Sequence, residues 1–221
     1  MSDPLNPLQE KLKKARLYLV TDQELSIDRP TVEVAESALK GGVDIVQLRE
    51  YSLADRELLE MAKHLRKLTD AHHALLIVNN RPDIALLADA DGVHLGQDDL
   101  SAGEARKILG DGKLIGISTH NMDQARWAVQ DGADYIGVGP VYPTQTKKNV
   151  VAPVTLKYVR EVVEAGFLIP FFAIGGVKLH NLDEVMAAGA RRVAVVTGLV
   201  AAANVEKVAA DFKEKLAKYP L

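Results

Sequence analysis

The stretch "DGADYIGVGPVYPTQTKKNVVAP", Asp131 to Pro153, contains one full step of the pattern from which the architecture can be read. It has a glycine, Gly132, at its start, crosses a short apolar segment and leaves it in a long polar loop. A glycine supplies the left-handed residue that ends a helix before the chain turns into a sheet. The same step recurs at "GGVDIVQL", "DADGVHLG" and "AAGARRVAVVTG". This is a weak internal repeat of one helix-end-to-strand unit.

Working outward, short apolar runs appear along the whole chain: "LYLVT" (17–21), "VDIVQLR" (43–49), "ALLIVN" (74–79), "GVHLG" (92–96), "LIGIST" (114–119), "YIGVG" (135–139), "PFFAIG" (170–175) and "VAVVTG" (193–198). They are rich in β-branched residues, and most lack apolar/polar alternation, as strands buried on both faces do. Helical periodicity lies between them. Val32, Ala35 and Leu39 share a face that stops at Gly41, and Leu58, Met61, Ala62 and Leu65 share another. "MDQARWAVQDG" and "LDEVMAAG" repeat this over shorter spans, and "NVEKVAADFKEKLAKY" ends the chain as an amphipathic helix. Eight alternating units in one domain predict an α/β fold, a single (β/α)8 TIM barrel. An open doubly wound sheet is the alternative, but rarely carries eight units in so short a chain. Residues 1–16 read as a short extra N-terminal helix outside the barrel units.

Composition narrows the function. The chain has 221 residues, 48% of them hydrophobic, and a net charge of -3, which excludes a strongly basic nucleic-acid binder. It has no cysteine, so disulfides and thiolate metal sites are excluded. The N-terminus shows no signal-peptide pattern, and no apolar run reaches the ~18 residues of a membrane span. These features predict a soluble, cytoplasmic protein with no membrane or nucleic-acid partner; a homo-oligomer is left open.

Barrel enzymes place their sites on the residues that leave the strands. Strand 2 ends in Gln47, Leu48, Arg49, Glu50 and Tyr51. Arg49 is either a bidentate phosphate ligand or one half of a rim ion pair with Glu50. Strand 3 ends in Asn79, Asn80 and Arg81, which suit turns or ligand polar groups. After strand 4, Asp98 and Asp99 either cap the next helix or supply one Mg²⁺ ligand. His94, within that strand, reads as a packed core or rim residue. Strand 5 presents Ser118, a phosphate donor, and His120, a general acid or base or simply a structural ring. The opening loop brings Thr144, Thr146, Lys147 and Lys148, and loops of this length in compact domains are often functional. Gly175 and Gly176 after strand 7, and "VVTG" after strand 8, suit phosphate binding through backbone amides. Two anion regions result, one around Arg49 and Lys147 and one on the Gly175/Val196 side.

Taken together, "VQLRE", "VHLGQDDL", "GISTHN", "YIGVGPVYPTQTK", "AIGGV" and "VAVVTG" resemble the thiamine-phosphate synthase family, in order, over about residues 17–200. The resemblance implies condensation of hydroxymethylpyrimidine diphosphate with a thiazole phosphate, giving thiamine phosphate and pyrophosphate. It also implies Mg²⁺ as cofactor and a dissociative course: pyrophosphate leaves, and the thiazole nitrogen captures a pyrimidine-methyl cation. By matching position, Gln47 and Arg49 contact the pyrimidine diphosphate, within a segment that includes Leu48, Glu50 and Tyr51. Asn79 contacts the pyrimidine or phosphate side. Ser118 and Lys147 hold the diphosphate, and Arg49, Ser118 and Lys147 form the catalytic set. Thr144, Gln145 and Thr146 meet the thiazole phosphate, with Gly176, Val196 and Thr197. Asn80 and Asp99 are the metal positions.

Two positions depart from the family pattern. Tyr51 stands where the family has lysine, and Asn80 where it has aspartate. Both changes fall on the Mg²⁺-diphosphate side. They keep two rivals in view: a thiazole tautomerase working through His120, and a barrel that binds thiazole or thiamine phosphates without turnover.

Overall fold

The computed structural model describes residues 6–144, 146 and 152–221. Eight strands close into an all-parallel barrel in sequence order. They are β1 (Leu17–Val20), β2 (Ile45–Leu48), β3 (Leu75–Asn79), β4 (Gly92–Leu95), β5 (Leu114–Thr119), β6 (Tyr135–Val138), β7 (Phe171–Ile174) and β8 (Val193–Val195). The predicted (β/α)8 barrel is therefore the observed one.

Ten helices accompany them among the described residues: α1 (Pro7–Lys14), α2 (Thr31–Lys40), α3 (Asp55–Ala71), α4 (Pro82–Leu87), α5 (Ala102–Leu109), α6 (Met122–Gln130), α7 (Thr155–Ala165), α8 (Leu182–Ala187), α9 (Thr197–Val200) and α10 (Val205–Ala217). The anticipated N-terminal helix is α1. Its Leu12 is fully buried against Tyr18, Ile45, Leu75 and Leu114, the lower lining of the barrel. The helix thus stands outside the repeating units yet supplies part of the barrel's core.

Successive strand residues point to opposite faces of a sheet, and the two faces here have separate cores. Leu17, Leu19, Val46, Leu48, Val78, Val93, Leu95 and Ile117 pack outward into the helical layer. Tyr18, Ile45, Leu75, Ile77, Leu114, Tyr135, Phe172 and Ala194 fill the interior. This explains the missing alternation in the sequence: both faces are covered.

The helix-end glycines hold at three of the four repeat steps, where Gly42, Gly132 and Gly189 all have positive φ. The fourth differs. Asp89, at φ 51°, makes the left-handed turn, and Gly92 is already the first residue of β4. A Cβ on Gly92 would lie 2.0 Å from the Leu114 carbonyl oxygen, so close strand packing requires that glycine.

Each of three repeat steps also carries an aspartate just before its strand. Asp44, Asp91 and Asp134 accept the amide N–H of Leu17, Leu76 and Ile115, respectively, on the preceding strand. Each is paired with a cation, Lys213, Arg66 or Arg106. These ties brace the end of the barrel opposite the ligand-binding rim, where barrels invest in stability.

Candidate active site

Moving up the inner face, the side chains change from apolar to polar within a few residues. Ile45 gives way to Gln47 and then Arg49 on β2; Leu75 and Ile77 give way to Asn79 on β3; Leu114 and Gly116 give way to Ser118 on β5. The period-2 direction of strands puts each of these sets on one face. The sequence-predicted residues Gln47, Arg49, Asn79 and Ser118 therefore converge on the mouth of one barrel.

Arg49 is the most constrained of them. It is 5% exposed. Its Nη1 donates to Asp22 Oδ2 at 2.6 Å and its Nη2 to the Thr146 carbonyl at 2.7 Å. The Tyr51 ring lies over its guanidinium, 4.7 Å from ring centroid to Cζ. Its Nε is buried and has no hydrogen-bond partner among the described residues. A buried N–H without a partner is costly, and an anionic ligand would satisfy it. The rim ion pair between Arg49 and Glu50 weighed from sequence is not formed. Glu50 instead accepts from the hydroxyls of Thr21 and Thr31 and from the Gln23 amide. Leu48 packs into the helical layer, so its side chain is turned away from the mouth.

The β6–α7 loop is tied to the neighbouring strand end. Val141 and Tyr142 donate to the carbonyls of Ile174 and Gly175. Cβ atoms on Gly175 and Gly176 would lie 2.4 and 2.7 Å from Pro140 and Tyr142 side-chain atoms, and both glycines have positive φ. Only glycine allows this approach without strain. It sets Tyr142 and Pro143 against Gly176, and the Thr144 and Thr146 hydroxyls that follow lie 3.2 Å apart. Val196 and Thr197 stand at the start of the short helix α9, after β8. Gln145, Lys147 and Lys148 lie outside the described residues.

On the β3–β4 side, the Asn80 N–H donates to the His94 carbonyl, which ties the two strand ends together. Asn80 has φ 58°, a conformation that asparagine tolerates better than most residues. Asp99 Oδ2 accepts the Gly96 N–H at 2.6 Å, leaving Oδ1 uncommitted to that bond. The helix-capping role weighed for Asp98 and Asp99 belongs to Ser101, which forms a reciprocal capping box with Glu104. Among the described residues no group of three or more His, Cys, Asp or Glu side chains could hold a metal. One carboxylate and one amide oxygen suit an ion such as Mg²⁺, which takes few protein ligands and completes its shell with substrate phosphate and water.

His120 accompanies Ser118 in sequence but is held elsewhere. Its Nδ1 lies 2.6 Å from the Gly139 carbonyl, and its ring lines a surface cavity of about 370 Å³ with Lys157, Tyr158 and Glu161. Asn121 caps α6, its side chain accepting the Gln124 N–H. Two residues gain importance that the strand ends did not reveal. Asp22 is the counter-ion of Arg49, and His94 contacts Ser118 Oγ through Nε2 at 2.9 Å. The signal for His94 was its position inside β4, on the inward parity.

A parallel barrel with arginine, amides and hydroxyls at its mouth belongs to the class of phosphate-handling barrel enzymes. The particular family follows from comparison with known proteins. Residues 17–199 match the family model described as thiamine monophosphate synthase. The thiamine-phosphate synthase of Shouchella clausii is 50% identical over 195 residues, covering 88% of this chain and 93% of its own. That of Halalkalibacterium halodurans is 49% identical over 195 residues, covering 88% and 92%. The solved thiamine phosphate pyrophosphorylase of Pyrococcus furiosus superposes with a TM-score of 0.86 at 35% identity, covering 96% of this chain and 98% of that one. The chain belongs to the thiamine monophosphate synthase family. Its activity is that of a thiamine-phosphate synthase, which joins a pyrimidine and a thiazole phosphate in thiamine biosynthesis. The synthase reading thus stands over the tautomerase and the non-catalytic barrel.

Proposed function

We propose that the barrel mouth carries out this condensation by holding hydroxymethylpyrimidine diphosphate on the β2–β5 side and thiazole phosphate on the β6–β8 side. The observation that supports the division is Arg49, whose Nη2 holds the Thr146 carbonyl while its buried Nε has no partner among the described residues. One guanidinium thus adjoins both half-sites.

Little acid–base chemistry is required. Pyrophosphate must be drawn away, and the second substrate must wait in line with the methylene carbon it attacks. Positioning and fixed positive charge supply most of the rate in such a reaction. Arg49 receives the developing charge through Nε, with Ser118 donating its hydroxyl. Lys147 adds a second cation by its place in the family pattern. Gln47 and Asn79 orient the pyrimidine. Thr144 and Thr146, with Gly176, Val196 and Thr197, hold the thiazole phosphate. Gln145 belongs to the same segment.

Asp99 and Asn80 would hold Mg²⁺ together with the diphosphate. When bound, the ion neutralises phosphate oxygens on the leaving group. Asn80 contributes an oxygen without a charge, so occupancy depends more on the substrate than it would with two aspartates. Tyr51 replaces a lysine's direct charge with a ring that holds Arg49 in place. Isothermal titration of the diphosphate substrate analogue with and without Mg²⁺ tests the division of the site. Arg49→Ala and Ser118→Ala are expected to weaken its binding and leave thiazole phosphate binding within a few-fold. Loss of thiazole phosphate binding alone would reverse the assignment.

A further inference from the structure

Below the mouth lies a continuous chain of polar contacts through an otherwise apolar barrel. The Gln47 Nε2 donates to Tyr18 Oη at 2.7 Å. Tyr18 Oη lies 2.9 Å from Tyr135 Oη, Tyr135 Oη 3.2 Å from His94 Nδ1, and His94 Nε2 2.9 Å from Ser118 Oγ. Five strands contribute one residue each. Tyr18 and Tyr135 are at most 1% exposed, Gln47 is 4% exposed and His94 is 9% exposed.

The protons in this chain can be counted. Tyr18 accepts from Gln47, so its own hydrogen goes to Tyr135, its other hydroxyl contact among the described residues. In the arrangement where Tyr135 gives its hydrogen to His94 Nδ1, that nitrogen is unprotonated. The neutral ring carries its hydrogen on Nε2 and donates it to Ser118 Oγ. Ser118 is left with its own hydrogen to give. In the opposite tautomer His94 carries its hydrogen on Nδ1, and Ser118 gives its hydrogen to Nε2 and faces the diphosphate with lone pairs.

We propose that Gln47, Tyr18, Tyr135 and His94 form a directional hydrogen-bond relay that locks Ser118 as a hydroxyl donor toward the diphosphate. Tyr18, Tyr135 and His94 are positioning residues in this arrangement and act through Ser118. The inference rests on the assignment of Ser118 to the diphosphate. The two ends are linked, because the hydrogen that Gln47 donates to Tyr18 favours the orientation in which Ser118 is left as a donor. Burial keeps both tyrosines protonated, since desolvation raises each hydroxyl well above its ordinary value. The barrel also makes room for the relay. A Cβ on Gly116 would lie 2.1 Å from Tyr135 Cζ, and one on Gly137 3.4 Å from His94 Cε1.

The test is the tautomer of His94, read by ¹⁵N NMR of histidine-labelled full-length protein and assigned with His94→Gln. The relay predicts a hydrogen on Nε2 and none on Nδ1 in the wild type. Tyr135→Phe removes the donor to Nδ1, so both nitrogen signals should move toward averaged values. The same variant should lower kcat roughly ten-fold, as expected for one weakened hydrogen bond to a charged group, with KM for the diphosphate changed less than three-fold. If Tyr135→Phe does not fold, Tyr18→Phe breaks the chain one link farther away and should give the same averaging. A wild-type Nδ1–H tautomer would overturn the relay. So would an unchanged tautomer in a folded Tyr135→Phe or Tyr18→Phe variant. The spectrum needs no turnover. A locked tautomer in a protein that makes no thiamine phosphate would therefore count against the synthase reading and leave the relay standing.

Discussion

Arg49 and Asp22 form an ion pair of 2.6 Å at the mouth of the barrel, with side-chain exposures of only 5% and 14%. The pair joins the end of β2 to the segment after β1 and aims the guanidinium. Charges this well covered are costly to separate, because removing one leaves the other buried without compensation. Asp22 is therefore the counter-ion that keeps Arg49 in place.

Asp22→Asn should lower the stability of the ligand-free protein by about 3 kcal/mol, the scale for a broken buried pair. Pyrophosphate with Mg²⁺ should then raise Tm more in the variant than in the wild type, because the anion supplies the missing negative charge. Differential scanning calorimetry with and without pyrophosphate measures both. Equal Tm gains in the two proteins would show that Arg49 does not face the diphosphate.

Asn80→Asp adds a carboxylate at one of the two positions proposed to hold Mg²⁺. The Mg²⁺ concentration for half-maximal rate should fall by roughly ten-fold, the effect of about 1.4 kcal/mol of added ion affinity. Initial rates across a Mg²⁺ titration give the answer. An unchanged midpoint would place the ion away from residue 80.

Tyr51 is 67% exposed, with its ring over the Arg49 guanidinium. An exposed cation–π contact contributes about 0.5–1 kcal/mol. Tyr51→Ala should accordingly raise KM for the pyrimidine diphosphate by about two- to five-fold. Tyr51→Lys should restore or exceed wild-type affinity, because a direct cation replaces the stacking ring. A lower affinity in Tyr51→Lys than in Tyr51→Ala would contradict this role.

How much of this was readable beforehand varies with the range of the interaction. The barrel followed from local patterns: apolar runs, helix periodicity and glycines at helix ends. Arg49, Asn79 and Ser118 followed from their place at strand ends. Asp89 in place of a glycine cap did not, because aspartate can also take a left-handed turn. Nor did the pairing of Arg49 with Asp22, 27 residues away, or of Tyr18 with Tyr135, 117 residues apart. Such partners are set by barrel closure and stagger. A two-residue strand period says which way Tyr135 points but not which ring it meets.

Asp91 sits at the opposite end of the barrel, paired with Arg66 and accepting the Leu76 amide. Asp91→Ala should destabilise the fold by about 3 kcal/mol while kcat of the remaining folded enzyme stays within two-fold. Urea denaturation and active-site-normalised rates check the two halves. A large fall in kcat would mean that the lower barrel is coupled to the chemistry.

The most direct test of the account is a product assay with both phosphorylated substrates and Mg²⁺, run on the wild type and on Arg49→Ala. The wild type should release pyrophosphate and form thiamine phosphate in equal amounts. Arg49→Ala should lose about 100- to 1000-fold in kcat, the effect of removing one preorganised charge-stabilising donor. Full activity in Arg49→Ala, or a wild type that binds both substrates without releasing pyrophosphate, would contradict it.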